Sequence, residues 1–74
     1  MTQQLSEIAD QFVGGRVYYD HRSRTIRSFE TRTLGIVLLT EDGAEIPCGP
    51  QPWVTESEGG YYVNDRDVVL YPKQ

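Results

Sequence analysis

The chain reads as an α+β domain in which a short N-terminal helix packs on a curved antiparallel β-sheet. Three observations point there. Leu5, Ile8, Ala9 and Phe12 fall at i, i+3, i+4 and i+7, the spacing of one apolar stripe on a helix. After Gly14-Gly15 the apolar pattern changes to the two-residue alternation of strands, built from β-branched and aromatic residues between turn formers. Asp42-Gly43 then lies between two strand-like runs, which is a strong short-range hairpin signal.

The stripe predicts a helix over residues 3–13, with Thr2 available as its cap and Gly14-Gly15 as its stop, because glycine accepts the left-handed conformation that helix ends commonly need. A helix of about ten residues is marginal alone in water, so its apolar side must dock on the sheet. Strands are expected near residues 16–21, 25–30, 33–40, 44–48, 53–55, 61–63 and 68–71, within a β-rich region over 16–72. Leu34 to Leu39 is apolar on both faces, as befits a central strand. Gly49-Pro50-Gln51-Pro52 must be a loop, since proline cannot donate to a ladder, and Pro72 ends the last strand. Gly59-Gly60 and the run Asn64 to Asp67 are read as turns. A helix followed by short strands fits either a small bent barrel of SH3-like or Sm-like shape or an open meander with the helix on one face. No internal repeat or low-complexity tract divides the chain, so residues 1–74 are one expected domain.

Asn64-Asp65-Arg66-Asp67-Val68-Val69-Leu70-Tyr71-Pro72 resembles the closing motif of the Sm-like RNA-binding barrels, which also place a short helix before a bent sheet. The Arg-Gly pair that opens that motif is absent, and the Tyr19-Asp20 region departs in spacing from their first motif. The resemblance covers these nine residues and implies a barrel shape.

With 74 residues the core must be small. A chain of this size buries only about 60% of the surface its unfolded form exposes, and a single core of this scale rarely supplies more than about 3–5 kcal/mol of net stability. Cys48 is the one cysteine, so an intramolecular disulfide is excluded and a reducing compartment is the better match. No lysine or arginine precedes Arg16, and the longest apolar runs have four residues. A secretory signal and a membrane span of about 20 residues are therefore not expected, and the protein is read as cytoplasmic.

Charge is unevenly spread. Residues 16–32 carry five arginines against Asp20 and Glu30, whereas residues 33–74 carry seven carboxylates against Arg66 and Lys73, and the total is −4. Such asymmetry can steer a partner and fix its orientation.

The tyrosine doublets Tyr18-Tyr19 and Tyr61-Tyr62 are the clearest functional signal, because neighbours on a strand point to opposite faces and one of each pair must point away from the core. With Val17 and Tyr19 inward, Arg16, Tyr18 and Asp20 face out. With Ile26 inward, Thr25, Arg27 and Phe29 take the opposite face. With Tyr61 and Val63 inward, Tyr62 faces out. The expected contact surface therefore holds Tyr18, Arg27, Phe29 and Tyr62 as anchors, with Arg16, Arg22 and Arg24 selecting an acidic partner surface. The competing account makes some of these aromatics core, under the helix or a second sheet.

These residue types point to a small protein-binding regulator, one version being an inhibitor encoded by a phage or other mobile element that blocks a host complex. The alternatives are a single-stranded RNA or DNA binder, in which bases stack on aromatics, and a structural subunit that associates with copies of itself. Phosphate neutralisation dominates non-specific nucleic-acid affinity, and a chain of net charge −4 is poorly built for it. No enzyme, cofactor or metal is expected. Asp20 cannot orient His21 as a triad carboxylate would, since strand neighbours diverge, and His21 lies 27 positions from Cys48 without further ligands of zinc type. Cys48, in Pro-Cys-Gly-Pro, reads as an inert, partly buried thiol.

Overall fold

The computed structural model describes residues 2–64 and 68–73. The elements in chain order are strand β1 (Thr2–Gln4), helix α1 (Leu5–Ile8) continued by a 3₁₀ turn (Ala9–Phe12), then strands β2 (Arg16–Tyr19), β3 (Arg22–Arg32), β4 (Gly35–Thr40), β5 (Glu45–Gly49), β6 (Trp53–Ser57), β7 (Gly60–Val63) and β8 (Val69–Tyr71). The chain is thus mostly antiparallel sheet with one short helix, as the apolar patterns require. Strand order is β1-β6-β7-β8-β2-β3-β4-β5.

The helix is shorter than the stripe suggests. Thr2–Gln4 pairs with β6 as an edge strand, Thr2 opposite Thr55 and Gln4 opposite Trp53, so Thr2 is no helix cap. α1 begins at Leu5 and gives way to the 3₁₀ turn after Ile8, whose φ of −126° breaks the α-helical run. The stripe still does its work: Leu5 and Phe12 are fully buried, and Ile8 and Ala9 pack against the same core. Gly14, at φ +86°, ends the segment.

Four hairpins among the described residues set the strand registers. Asp20 and His21 (φ +54° and +62°) form a two-residue turn between β2 and β3, with Tyr19 opposite Arg22, a turn whose positive φ angles match the twist of the flanking strands. Residues 16–21 were expected to be a continuous strand, and the last two belong to this turn instead. Residues 41–44 connect β4 and β5, Gly43 donating to the Thr40 carbonyl at 3.1 Å, and Thr40 and Asp42 bond through their side chains. Thr33-Leu34 joins β3 to β4, which removes Leu34 from the expected central strand and leaves it 87% exposed. Glu58 and Gly59 (φ +52° and +84°) turn β6 into β7, Gly60 already lying in the strand. The turn expected at Asn64 to Asp67 falls largely outside the described residues.

β3 is the long bent strand that joins the two halves of the sheet. Its first residues pair with β2, and from Ile26 it pairs with β4. Between Ile26 and Ser28 the register slips, so Arg27 is an extra residue in the ladder, a bulge of the kind that bends and twists a strand. Eight strands at about 4.8 Å spacing would span roughly 34 Å if flat, whereas the longest extent of the molecule is 29 Å. The sheet is therefore curled. It is not a closed barrel, because no ladder joins β5 to β1 or β6 among the described residues. It is not a simple meander either, since β8 returns to pair with β2.

The curl encloses a core of Val17, Ile26, Leu38, Ile46, Cys48, Val54, Val63, Val68 and Leu70, with Leu5 and Phe12 filling it from the N-terminal segment. The Phe12 and Tyr61 rings meet edge to face at 5.1 Å. Where the sheet ends come together, Asn64 links them. Its Oδ1 accepts from the Trp53 amide at 2.9 Å and its Nδ2 donates to the Cys48 carbonyl at 2.7 Å, so one side chain ties β6 to β5.

Candidate partner-binding face

Strand registers fix which side chains share the outer, core-averted face. Val17, Val54, Val63 and Leu70 point into the core, so their strand neighbours point out. Tyr18 lies opposite Val69 and Ser23, and Val69 lies opposite Tyr62, which in turn lies opposite Thr55. Two residues along, Arg16 lies opposite Tyr71 on the same face, and Trp53 is two residues from Thr55. Four strands thus present four aromatic side chains on one side of the sheet. Tyr18, Tyr62, Tyr71 and Trp53 are each about two-fifths exposed, and Val69 is buried between them.

The arrangement has a backbone cause. Gly60 stands across from Tyr71, and a Cβ at Gly60 would meet Val69 Cγ1 at 2.8 Å and the Tyr71 ring at 3.2 Å. The missing side chain lets the Tyr71 ring lie over the strand. At the hairpin end of the face, Tyr18, Tyr19, Asp20, His21, Tyr62 and Val69 line a shallow cleft of about 550 Å³.

The residues expected to form one surface are divided between faces. Arg16, Tyr18 and Tyr62 are together on the outer face, and Arg16 Nε donates to Ser23 Oγ at 2.9 Å. Phe29 is not with them. The bulge at Arg27 shifts the alternation by one, so Phe29 pairs with fully buried Leu38 and packs against the core. Arg24 and Arg22 are opposite Val17 and Tyr19, which places both on the core side of the sheet. Arg24 Nε binds Asp42 Oδ2 at 3.1 Å, and Arg32 binds Glu45 at 2.8 Å and Glu30 at 3.2 Å. Two of the five arginines in the basic segment are thereby neutralised in place. Arg27 is exposed at the bulge. Tyr19, expected inward, is 36% exposed because β2 outruns the core at its end.

Trp53 and Tyr71 belong to the outer face although sequence alternation alone did not add them. The signal was present: Trp53 precedes inward Val54 and Tyr71 follows inward Leu70, so each should face away from the core.

Cys48 is buried, and loss of solvation pushes its thiol up to about 11, so it stays protonated at neutral pH. Among the described residues no group of three or more His, Cys, Asp or Glu side chains converges on a point that could hold a metal ion. Among them, too, no helix is long and apolar enough to cross a membrane. Comparison with protein-family models, with curated proteins and with solved structures found no match to this chain.

Proposed function

We propose that the chain is a non-enzymatic protein-binding domain whose contact surface is the outer face around Tyr18, Tyr62, Tyr71 and Trp53. The observation that carries this reading is the collection of four half-exposed aromatics on one face while the opposite face holds a core complete without them. Aromatic side chains bring large contact area at low ordering cost and are enriched where protein surfaces bind. Arg16, on the same face, is the cation placed to orient an acidic group of the partner. A small cytoplasmic regulator that blocks a larger complex, encoded by a phage or mobile element, is one form this takes; the chain's small size, 74 residues, is what favours it.

A single-stranded nucleic-acid binder would use the same aromatics for base stacking. It is the weaker reading, because Arg24 and Arg32 are engaged in ion pairs and Arg22 and Arg24 lie on the other side of the sheet.

The test is capture from a lysate of the source cell by immobilised protein, at low and high salt, with and without nuclease, beside a Tyr18→Ala/Tyr62→Ala variant. A protein retained by the wild type in high salt and after nuclease, and lost with the variant, is the expected result. Capture that nuclease or salt abolishes moves the reading to nucleic acid. Capture that the variant leaves unchanged removes this face as the site.

A further inference from the structure

The cleft at the β2–β3 hairpin has a chemistry narrower than that of the face it belongs to. Tyr18, Tyr62 and Val69 line it from the outer face and Tyr19, Asp20 and His21 from the hairpin, and Asp20 is the only carboxylate among these residues. Among the described residues the only aromatic pair is Phe12 with Tyr61, so the rings of Tyr18, Tyr19 and Tyr62 do not stack on one another. Among the described residues Asp20 has no ion-pair partner either: the pairs present join Arg24 with Asp42 and Arg32 with Glu30 and Glu45. Among the described residues, neither arginine beside the hairpin pairs with it: Arg16 Nε donates to Ser23 Oγ, which leaves its charge unneutralised, and Arg22 lies on the core side of the sheet.

We infer that this cleft takes a cationic side chain, a lysine or arginine, from the protein partner. The inference rests on the protein-binding reading and names what sits at one end of that face. Aromatic faces attract cations through the ring quadrupole, and a carboxylate at the rim adds a direct charge contact. The chain's net charge of −4 favours a basic partner in the same direction. Arg16, about two residues along the strand from Tyr18, then meets an acidic neighbour of that cationic residue, so the partner carries both signs across this face.

The experiment is a titration of the intact chain with N-acetyl-lysine methylamide and with its neutral norleucine counterpart at constant ionic strength, following the backbone resonances of Tyr18, Asp20, Tyr62 and Val69. Saturable shifts confined to the cleft with the lysine probe, and none with norleucine, are expected. Asp20→Asn tests the charge without disturbing the turn, since asparagine accepts the left-handed conformation held at φ +54°; it should weaken the lysine probe about fivefold, the worth of one solvent-exposed charge contact. Tyr62→Leu should weaken it further. Absence of shifts, equal shifts with norleucine, or tighter saturation by uridine monophosphate than by the lysine probe would each overturn the inference. The wider reading is judged separately: if Tyr18→Ala/Tyr62→Ala abolishes partner capture while the lysine probe fails to bind, the face stands and the cation is wrong.

Discussion

Replacing Asn64 should open the molecule where its sheet ends meet. Asn64 follows β7 at φ +51°, a conformation that asparagine and glycine accept and alanine does not. Its side chain makes two hydrogen bonds, to the Trp53 amide at 2.9 Å and to the Cys48 carbonyl at 2.7 Å. Each is worth about 1 kcal/mol, and a partner left unsatisfied and shielded from water costs about 1 kcal/mol more. Holding alanine in a left-handed conformation adds about 1 kcal/mol. Asn64→Ala should therefore cost about 3–4 kcal/mol and Asn64→Gly about 2–3 kcal/mol, the difference isolating the backbone conformation. Against a total of about 3–5 kcal/mol for a domain of this size, the alanine variant should be close to unfolded at room temperature. Urea unfolding at constant m-value measures the loss. Cys48 supplies a second probe, because it is the one cysteine and is only 3% exposed, so its reaction with a thiol reagent reports opening of the β5 edge. An Asn64→Ala protein that unfolds within about 0.5 kcal/mol of wild type, with its thiol still protected, would refute the idea that this side chain joins the sheet ends.

Gly35, at φ +123°, has no room for a Cβ, which would stand 2.3 Å from the Gly49 backbone, so Gly35→Ala should prevent folding as judged by circular dichroism; Gly43→Ala, with nothing within 4 Å, should cost only about 1 kcal/mol of backbone strain. Asp42, held by Thr40, and Glu45, held by Arg32, both titrate below the usual carboxylate range. A carboxylate depressed in the folded state contributes stability that is present above its unfolded pKa and lost as pH falls through the folded one, so thermal stability should decline below about pH 4, and less steeply in Asp42→Asn. Because burial pushes the Cys48 thiol up to about 11, alkylation of native protein at pH 8 should be slow and should accelerate in urea.

Much of the fold is legible in the residue pattern, and the exceptions have local causes. The Asp42-Gly43 hairpin is a strong short-range signal and is realised, whereas the stripe from Leu5 to Phe12 is buried as expected but α-helical only over Leu5–Ile8. Thr2–Gln4 as a strand is not legible, since three polar residues carry no alternation and owe their conformation to pairing with β6. The bulge at Arg27 has no sequence mark either, yet it reverses the side on which Phe29 lies. That single slip separates Phe29 from Tyr18 and Tyr62, which simple alternation had grouped. Alternation was sufficient for Tyr18 and Tyr62 because β2 and β7 are short and unbulged. The gathering of Trp53, Tyr62, Tyr71 and Tyr18 depends on the order β6-β7-β8-β2, in which β8 returns to β2, and long-range order of that kind is not encoded in any local period. Likewise, Arg24 and Arg32 look like partner-seeking cations in sequence, but the 41–44 hairpin and β5 bring Asp42 and Glu45 within ion-pair distance.

The outer aromatic face is tested most directly by the affinity of the captured partner for single alanine variants on the two sides of the sheet. Tyr18→Ala and Tyr62→Ala should each weaken binding by more than about 1 kcal/mol, the mark of central anchor residues, while Arg22→Ala on the other side should stay within about 0.5 kcal/mol of wild type. The reverse pattern, with Arg22 decisive and both tyrosines neutral, would contradict it.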